Sequence, residues 1–413
     1  MSNTTSYSAR KWIRILWTLF TYPFGLPAAV VGALIGGAGG LVVGIRYRRG
    51  AIFGARSGLQ RGAIRAVRMV FAGSTWLYRK LFIRKKEKTE LPSFSAPAQD
   101  ILIIGHRGAP YKKVENTLSS FAYALSEGAN ALETDLCITS DGQVVLWHDW
   151  NPDSATAKYR ESGLEPNQRY RPYYPKHPDR KRVSDLTLEE LRSNFGYAYK
   201  NGAAIPARRF WRDIPTFDTF IRWASRQAAL NTVFLDIKIP ENELEQVAHM
   251  IAGIRKTLKA HPISCKLVIL CPVQPVVDEF IRLAPDMEMC FDQEVIDALP
   301  TATTAEAKTF SAMRPAEAYG NQFASVGRPT TFTLAPFEVY QKIIQGDIQY
   351  RHQQCLGIHL IAWTINDPTE MAALVALGVD GILTDHPHRL ARIVNKQEAF
   401  DVLRNAREWL GIH

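Results

Sequence analysis

Acidic residues are almost missing from the first 88 positions of this 413-residue chain, where Glu87 stands alone against 16 Lys and Arg. The remainder carries a small net negative charge, so the overall +10 belongs to one segment rather than to the whole molecule. A mildly acidic main portion argues against a nucleic-acid enzyme, and the basic segment points to an anionic surface. Cysteine is scarce. No two of Cys137, Cys265, Cys271, Cys290 and Cys355 stand in a CxxC pair, which excludes the thiol-pair redox and zinc motifs built on that spacing. Most lie in apolar runs and read as buried, reduced thiols of a reducing compartment.

Charge of either sign is missing from Ile15 to Ile45, a run longer than the roughly 20 residues a single span needs. Pro23 and Pro27 interrupt its start, so the best helix runs from Ala28 to Ile45. Trp12, Trp17, Tyr22 and Tyr47 flank it, as interfacial aromatics do. Glycine recurs every four residues at Gly32, Gly36, Gly40 and Gly44, then again at Gly50, Gly54, Gly58 and Gly62. Such series make smooth helix ridges for close packing, in a hairpin or between subunits of a homo-oligomer. Arg61, Arg65 and Arg68 share one helical face, and the segment ends in Arg84-Lys85-Lys86. This reads as a basic amphipathic helix on an anionic leaflet. The expectation is a membrane anchor over residues 1–88, a linker over 89–100, a catalytic domain over 101–395 and a C-terminal helix over 396–413. The larger basic cluster places the catalytic domain on the cytoplasmic face of the membrane.

Beyond residue 100 apolar, strand-like runs alternate with helical patterns. The expected strands are Ile101–Gly105, Ala131–Ile138, Gln143–His148, Val233–Lys238, Leu267–Leu270, Met287–Phe291, Gly357–Trp363 and Gly381–Thr384. Eight such units predict an α/β fold, a (β/α)8 TIM barrel with an N-terminal membrane-associated helical segment. Residues 151–182, rich in Pro, Tyr and charge, read as a loop insertion on the active-site face.

Chemistry concentrates at three places on those runs: Gly105-His106-Arg107-Gly108-Ala109-Pro110 with Glu115-Asn116-Thr117 after it, Leu132-Glu133-Thr134-Asp135, and Trp147-His148-Asp149. Imidazole suits proton transfer near neutrality. Glu133 and Asp135 stand two apart on a strand, so both carboxylates point to one face and repel unless a cation lies between them. Oxygen ligands favour one Mg²⁺ or Ca²⁺. Two histidines and paired carboxylates therefore predict metal-assisted phosphodiester chemistry.

These pieces, with VSDLTLEEL, IPTF, LDIK, AWTIN and GVDGILTDHP in the same order over residues 101–395, resemble the glycerophosphodiester phosphodiesterases, including the lysophospholipase D branch. The resemblance implies a TIM barrel and hydrolysis of glycerophosphodiesters or lysophospholipids. It implies His106 and His148 as the acid–base pair, and Asp236 as third metal ligand beside Glu133 and Asp135. It also implies phosphate contacts from Lys238 and Arg107, with Glu115 and Asn116 orienting Arg107 and its loop. Trp363 would pack on the glycerol or head group. Asp236 departs from the family, which usually has glutamate there; the related sphingomyelinase D toxins have aspartate. Whether water or a substrate hydroxyl attacks first stays open. The competing reading is a self-associating membrane scaffold with an inactive barrel.

Overall fold

Eight short apolar runs lie side by side in the computed structural model, which describes residues 101–200, 214–294, 311–328 and 337–395. They are β1 (Leu102–Gly105), β2 (Ala131–Ile138), β6 (Thr232–Ile237), β7 (Lys266–Cys271), β8 (Met289–Glu294), β9 (Phe323–Gly327), β10 (His359–Trp363) and β11 (Gly381–Thr384). All pair in parallel in that order, and β11 returns to β1, closing the ring. A closed ring of eight parallel strands with intervening helices is the (β/α)8 barrel the alternation predicts.

The membership of the ring differs from expectation. The run expected over Gln143–His148 forms β3 (Val144–Leu146), which folds back antiparallel on β2 outside the ring. Its place is taken by β9, whose small residues Ala324, Ser325 and Gly327 give little strand signal in sequence. The insertion is also not structureless. It holds α2 (Ala155–Glu161) and β4 (Tyr170–Tyr173), the latter pairing with β5 (Gly196–Tyr199).

One expectation is corrected outright. Among the described residues no helix is long and apolar enough to cross a membrane, so the membrane-associated, cytoplasm-facing placement finds no support in the structure. The anchor, its glycine series, the basic helix, the linker and the 396–413 helix lie outside the described residues.

Several of the motifs are helix starts. Thr117 accepts a hydrogen bond from Ser120 N ahead of α1 (Leu118–Ser126). In VSDLTLEEL, Thr187 and Glu190 cap each other's backbone at the start of α3 (Leu188–Asn194). In IPTF, Thr216 caps α4 (Phe217–Ala224). Helix α9 (Pro368–Leu377) starts from Asp367 and is closed by Gly378 in the left-handed region.

Two apolar layers form the core. The inner one fills the barrel with one or two side chains from every strand, among them Ile104, Phe234, Val268, Cys290, Phe323 and Ile361. The Phe234 and Phe323 rings meet edge to face, with centroids 5.5 Å apart. Phe234→Ala would open a void in this plug and is expected to cost about 3–5 kcal/mol in urea unfolding. A loss below about 1 kcal/mol would show that the barrel centre can collapse around the gap.

Candidate active site

Strand register brings the acids together. Asp135 of β2 stands directly beside Asp236 of β6, and Glu133 lies two residues back on the same face of β2. Ligand oxygens of all three approach within 4.8 Å of one another. Glu133 and Asp135 are buried. Glu133 Oε1 and Asp236 Oδ1 are buried with no hydrogen-bond partner, and the buried Asp135 Oδ1 faces the Lys238 ammonium. Lys238 Nζ donates to Asp236 Oδ2 at 2.6 Å and forms an ion pair with Asp135 Oδ1 at 3.0 Å. Arg107 Nε lies 3.0 Å from Asp135 Oδ2.

The electrostatics show an excess of negative charge. Burial and the neighbouring Asp135 push the Glu133 carboxyl up to about 8. Burial also raises Asp236, more than Lys238 lowers it. For Asp135, burial is outweighed by Lys238 and Arg107, which hold its carboxyl well below the usual range. Three converging carboxylates, with hard oxygens of Glu133 and Asp236 left without partners, fit one Mg²⁺ or Ca²⁺.

The histidines reach this cluster by different routes. Gly105 of β1 pairs with Leu132 on one side and Thr384 on the other. The next residue, His106, therefore stands between Glu133, 4.0 Å from its Nε2, and Asp385. Its Nδ1–H donates to Asp385 Oδ1 at 2.7 Å. Asp385 is held in turn by Asn366 Nδ2 at 2.6 Å and by Gln168 Nε2 at 3.4 Å. His148 arrives on the β2–β3 hairpin rather than on a barrel strand. There Leu146 pairs with Leu136, and Trp147 N donates to Asp135 O at 3.2 Å. Its Nδ1–H donates to Asp149 Oδ1 at 2.7 Å, and Asp149 Oδ2 accepts from Arg160 and from the Tyr174 hydroxyl.

The two rings differ in basicity. Burial and Arg107 lower His106, but the Asp385 contact and Glu133 outweigh them and leave it raised. Burial, Arg107, Arg160 and Lys238 together hold His148 well below its usual value.

The loop carrying His106 needs its glycines. Arg107 has φ 50° and Gly108 φ 87°, and a Cβ on Gly108 would fall 2.4 Å from Ser120 Oγ. The loop turns Arg107 inward, where Nη1 donates to Glu115 Oε2 at 2.8 Å and to Glu165 Oε1 at 3.2 Å. Much of its fork thus meets carboxylates. Asn116, also left-handed at φ 55°, donates to Asp135 Oδ2 at 2.7 Å, so it orients one acid of the cluster. Trp363 ends β10 with its indole over Gly327 and its Nε1 donating to Asp292 Oδ1 at 2.7 Å. Burial pushes Asp292 up to about 7.

All ten expected site residues lie on β1, β2, β3, β6, β10 or the loops that follow them. Sequence reading missed Asp149, Arg160, Glu165, Asn366, Asp385 and Asp292. Asp149 and Asp385 were visible within VVLWHD and GVDGILTDHP as residues beside a motif histidine or threonine. Nothing in the spacing marked Arg160, Glu165 or Asp292.

Comparison with known proteins bears on the family and the fold. The profile of the glycerophosphoryl diester phosphodiesterase family matches residues 106–389. A glycerophosphodiester phosphodiesterase from Caldanaerobacter subterraneus is 23% identical over 302 residues, covering 71% of this chain and 98% of its own. A lysophospholipase D from Mus musculus, GDPD3, is 24% identical over 338 residues, covering 79% and 91%. The crystal structure of a protein assigned as a glycerophosphoryl diester phosphodiesterase, from Silicibacter pomeroyi, superposes with a TM-score of 0.53 at 22% identity. It covers 73% of this chain and 95% of its own, a likeness of fold.

Proposed function

The chain belongs to the glycerophosphoryl diester phosphodiesterase family and is a phosphoric diester hydrolase; from that premise we propose that it cleaves glycerophosphodiesters or lysophospholipids with one divalent cation and two histidines. The observation that carries the reading is the convergence of Glu133, Asp135 and Asp236, with an unpartnered buried oxygen on Glu133 and on Asp236, flanked by two carboxylate-backed imidazoles.

Glu133, Asp135 and Asp236 would hold the cation, Mg²⁺ or Ca²⁺, which when bound relieves charge on the phosphate oxygens. Lys238 stays protonated, since Asp135 and Asp236 outweigh its burial, and we assign it the phosphate contact. Arg107 acts mainly by fixing Asp135, with Glu115 and Asn116 holding the two in place. His148 is the base. Its Asp149 is already shared with Arg160 and Tyr174, so it favours the neutral ring with Nε2 free to accept a proton. His106 is the acid. Its Asp385 is backed by the neutral donors Asn366 and Gln168, which leaves more of its charge for an imidazolium.

The test is a product assay on glycerophosphocholine and lysophosphatidylcholine side by side, with EDTA and then added Mg²⁺ or Ca²⁺. Free choline from the lysolipid alone selects the lysophospholipase D branch. Unchanged turnover in EDTA would remove the cation from the proposal.

Trp363 lines the mouth between Asp292 and Gly327, and we place the alcohol part of the substrate against its ring. Trp363→Ala is expected to raise KM about ten-fold with kcat within about two-fold, because packing on a non-reacting group is equal in ground and transition states. An equal fall in kcat would put the ring in the chemistry instead.

A further inference from the structure

Behind the catalytic groups lies a closed ring of alternating charge. Glu115 bridges Arg107 and Arg160, and Glu165 bridges the same two guanidiniums from the other side. Arg160 is 2% exposed and Arg107 5%. From the ring, Arg107 reaches Asp135 of the acid cluster, and Arg160 reaches Asp149, the partner of His148. Burial pushes the Glu165 carboxyl up, but Arg160 and Arg107 outweigh it and hold it below the usual range. Two of the four members, Arg160 near the end of α2 and Glu165 just after it, come from the segment inserted after His148. The same segment supplies Tyr174 to Asp149 and Gln168 to Asp385. It therefore touches the carboxylate behind each histidine.

We propose that Arg160 and Glu165 are positioning residues, and that the insertion braces the catalytic machinery from behind by closing this ring. A guanidinium suits the task because its planar fork presents donors along separate edges, one each for Glu115, Asp149 and Glu165. An ammonium keeps the charge and cannot meet three carboxylates in one plane. The proposal rests on the assignment of His148 as base only for its effect on turnover.

The experiment compares Arg160→Lys and Glu165→Gln with the unsubstituted full chain. Three quantities are read: turnover of glycerophosphocholine, the melting temperature, and the ¹⁵N-histidine spectrum, with His148 assigned by its loss in His148→Ala. In both variants kcat is expected to fall about 10- to 100-fold with KM within about three-fold, as for supporting contacts behind metal and catalytic ligands. The His148 Nδ1 signal should leave the position of a single hydrogen-bonded tautomer and move toward an average of two. Glu165→Gln keeps the shape of a partly exposed side chain, so it carries the test should Arg160→Lys not fold. Turnover within two-fold of the unsubstituted chain in a folded variant, or an unmoved His148 signal in Glu165→Gln, overturns the proposal. An active His148→Ala enzyme would remove the base assignment, while the tautomer signal still judges the bracing.

Discussion

The His148→Ala enzyme is expected to lose about 100- to 10,000-fold in kcat with little change in KM, the range a positioned general base contributes. His106→Ala should lose as much on a natural substrate, since both proton transfers are needed. The two variants separate when the leaving alcohol is made acidic. A p-nitrophenyl phosphodiester needs no protonation as it departs, so it should restore much of the His106→Ala activity and none of the His148→Ala activity. The opposite pattern would exchange the two roles. The pH profile gives a second check. Burial and three nearby cations hold His148 well below 6.5. Because the base works only when neutral, activity should hold as pH falls through 6.5 and decline only below it. An acid limb at or above pH 6.5 would show that the ring is not the depressed base described here.

Asp135→Asn is expected to weaken cation binding by at least about 100-fold, more than the loss typical of an outer partner. Isothermal titration of Mg²⁺ or Ca²⁺ reads this without reference to turnover. Asp135 sits at the centre of the site. It stands beside Asp236, meets both Lys238 and Arg107, and accepts from Asn116. Removing its charge leaves the buried Arg107 and the half-buried Lys238 each short of a partner, so kcat should fall as well. Tight binding in the variant would mean that Glu133 and Asp236 alone hold the ion.

The part of the site nearest the surface of the sequence is the part made by short-range geometry. The spacing of two in Leu132-Glu133-Thr134-Asp135 places both acids on one strand face, whatever the rest of the chain does. The glycines of Gly105-His106-Arg107-Gly108 mark a loop that only a missing Cβ permits. His148 and its partner Asp149 are neighbours in the chain. The alternation of apolar runs with helical patterns likewise implies a parallel sheet, because each run needs a crossover to reach the next. Pattern reading failed where a strand was weak in apolar residues, as in β9, or apolar without belonging to the ring, as in β3.

The chain alone, then, pointed to the barrel through its strand–helix alternation and to phosphodiester hydrolysis through its ordered motifs, and its short spacings set a histidine beside two of the strand-like runs and two acids on one strand face. Tertiary structure alone decided the partners. Asp385 reaches His106 across 279 positions of chain, and Arg160 enters from a segment with no readable period. The physical reason is one of range. Side-chain direction along a strand is local, whereas which carboxylate neutralises which cation in a buried site is settled only when distant segments pack and exclude water.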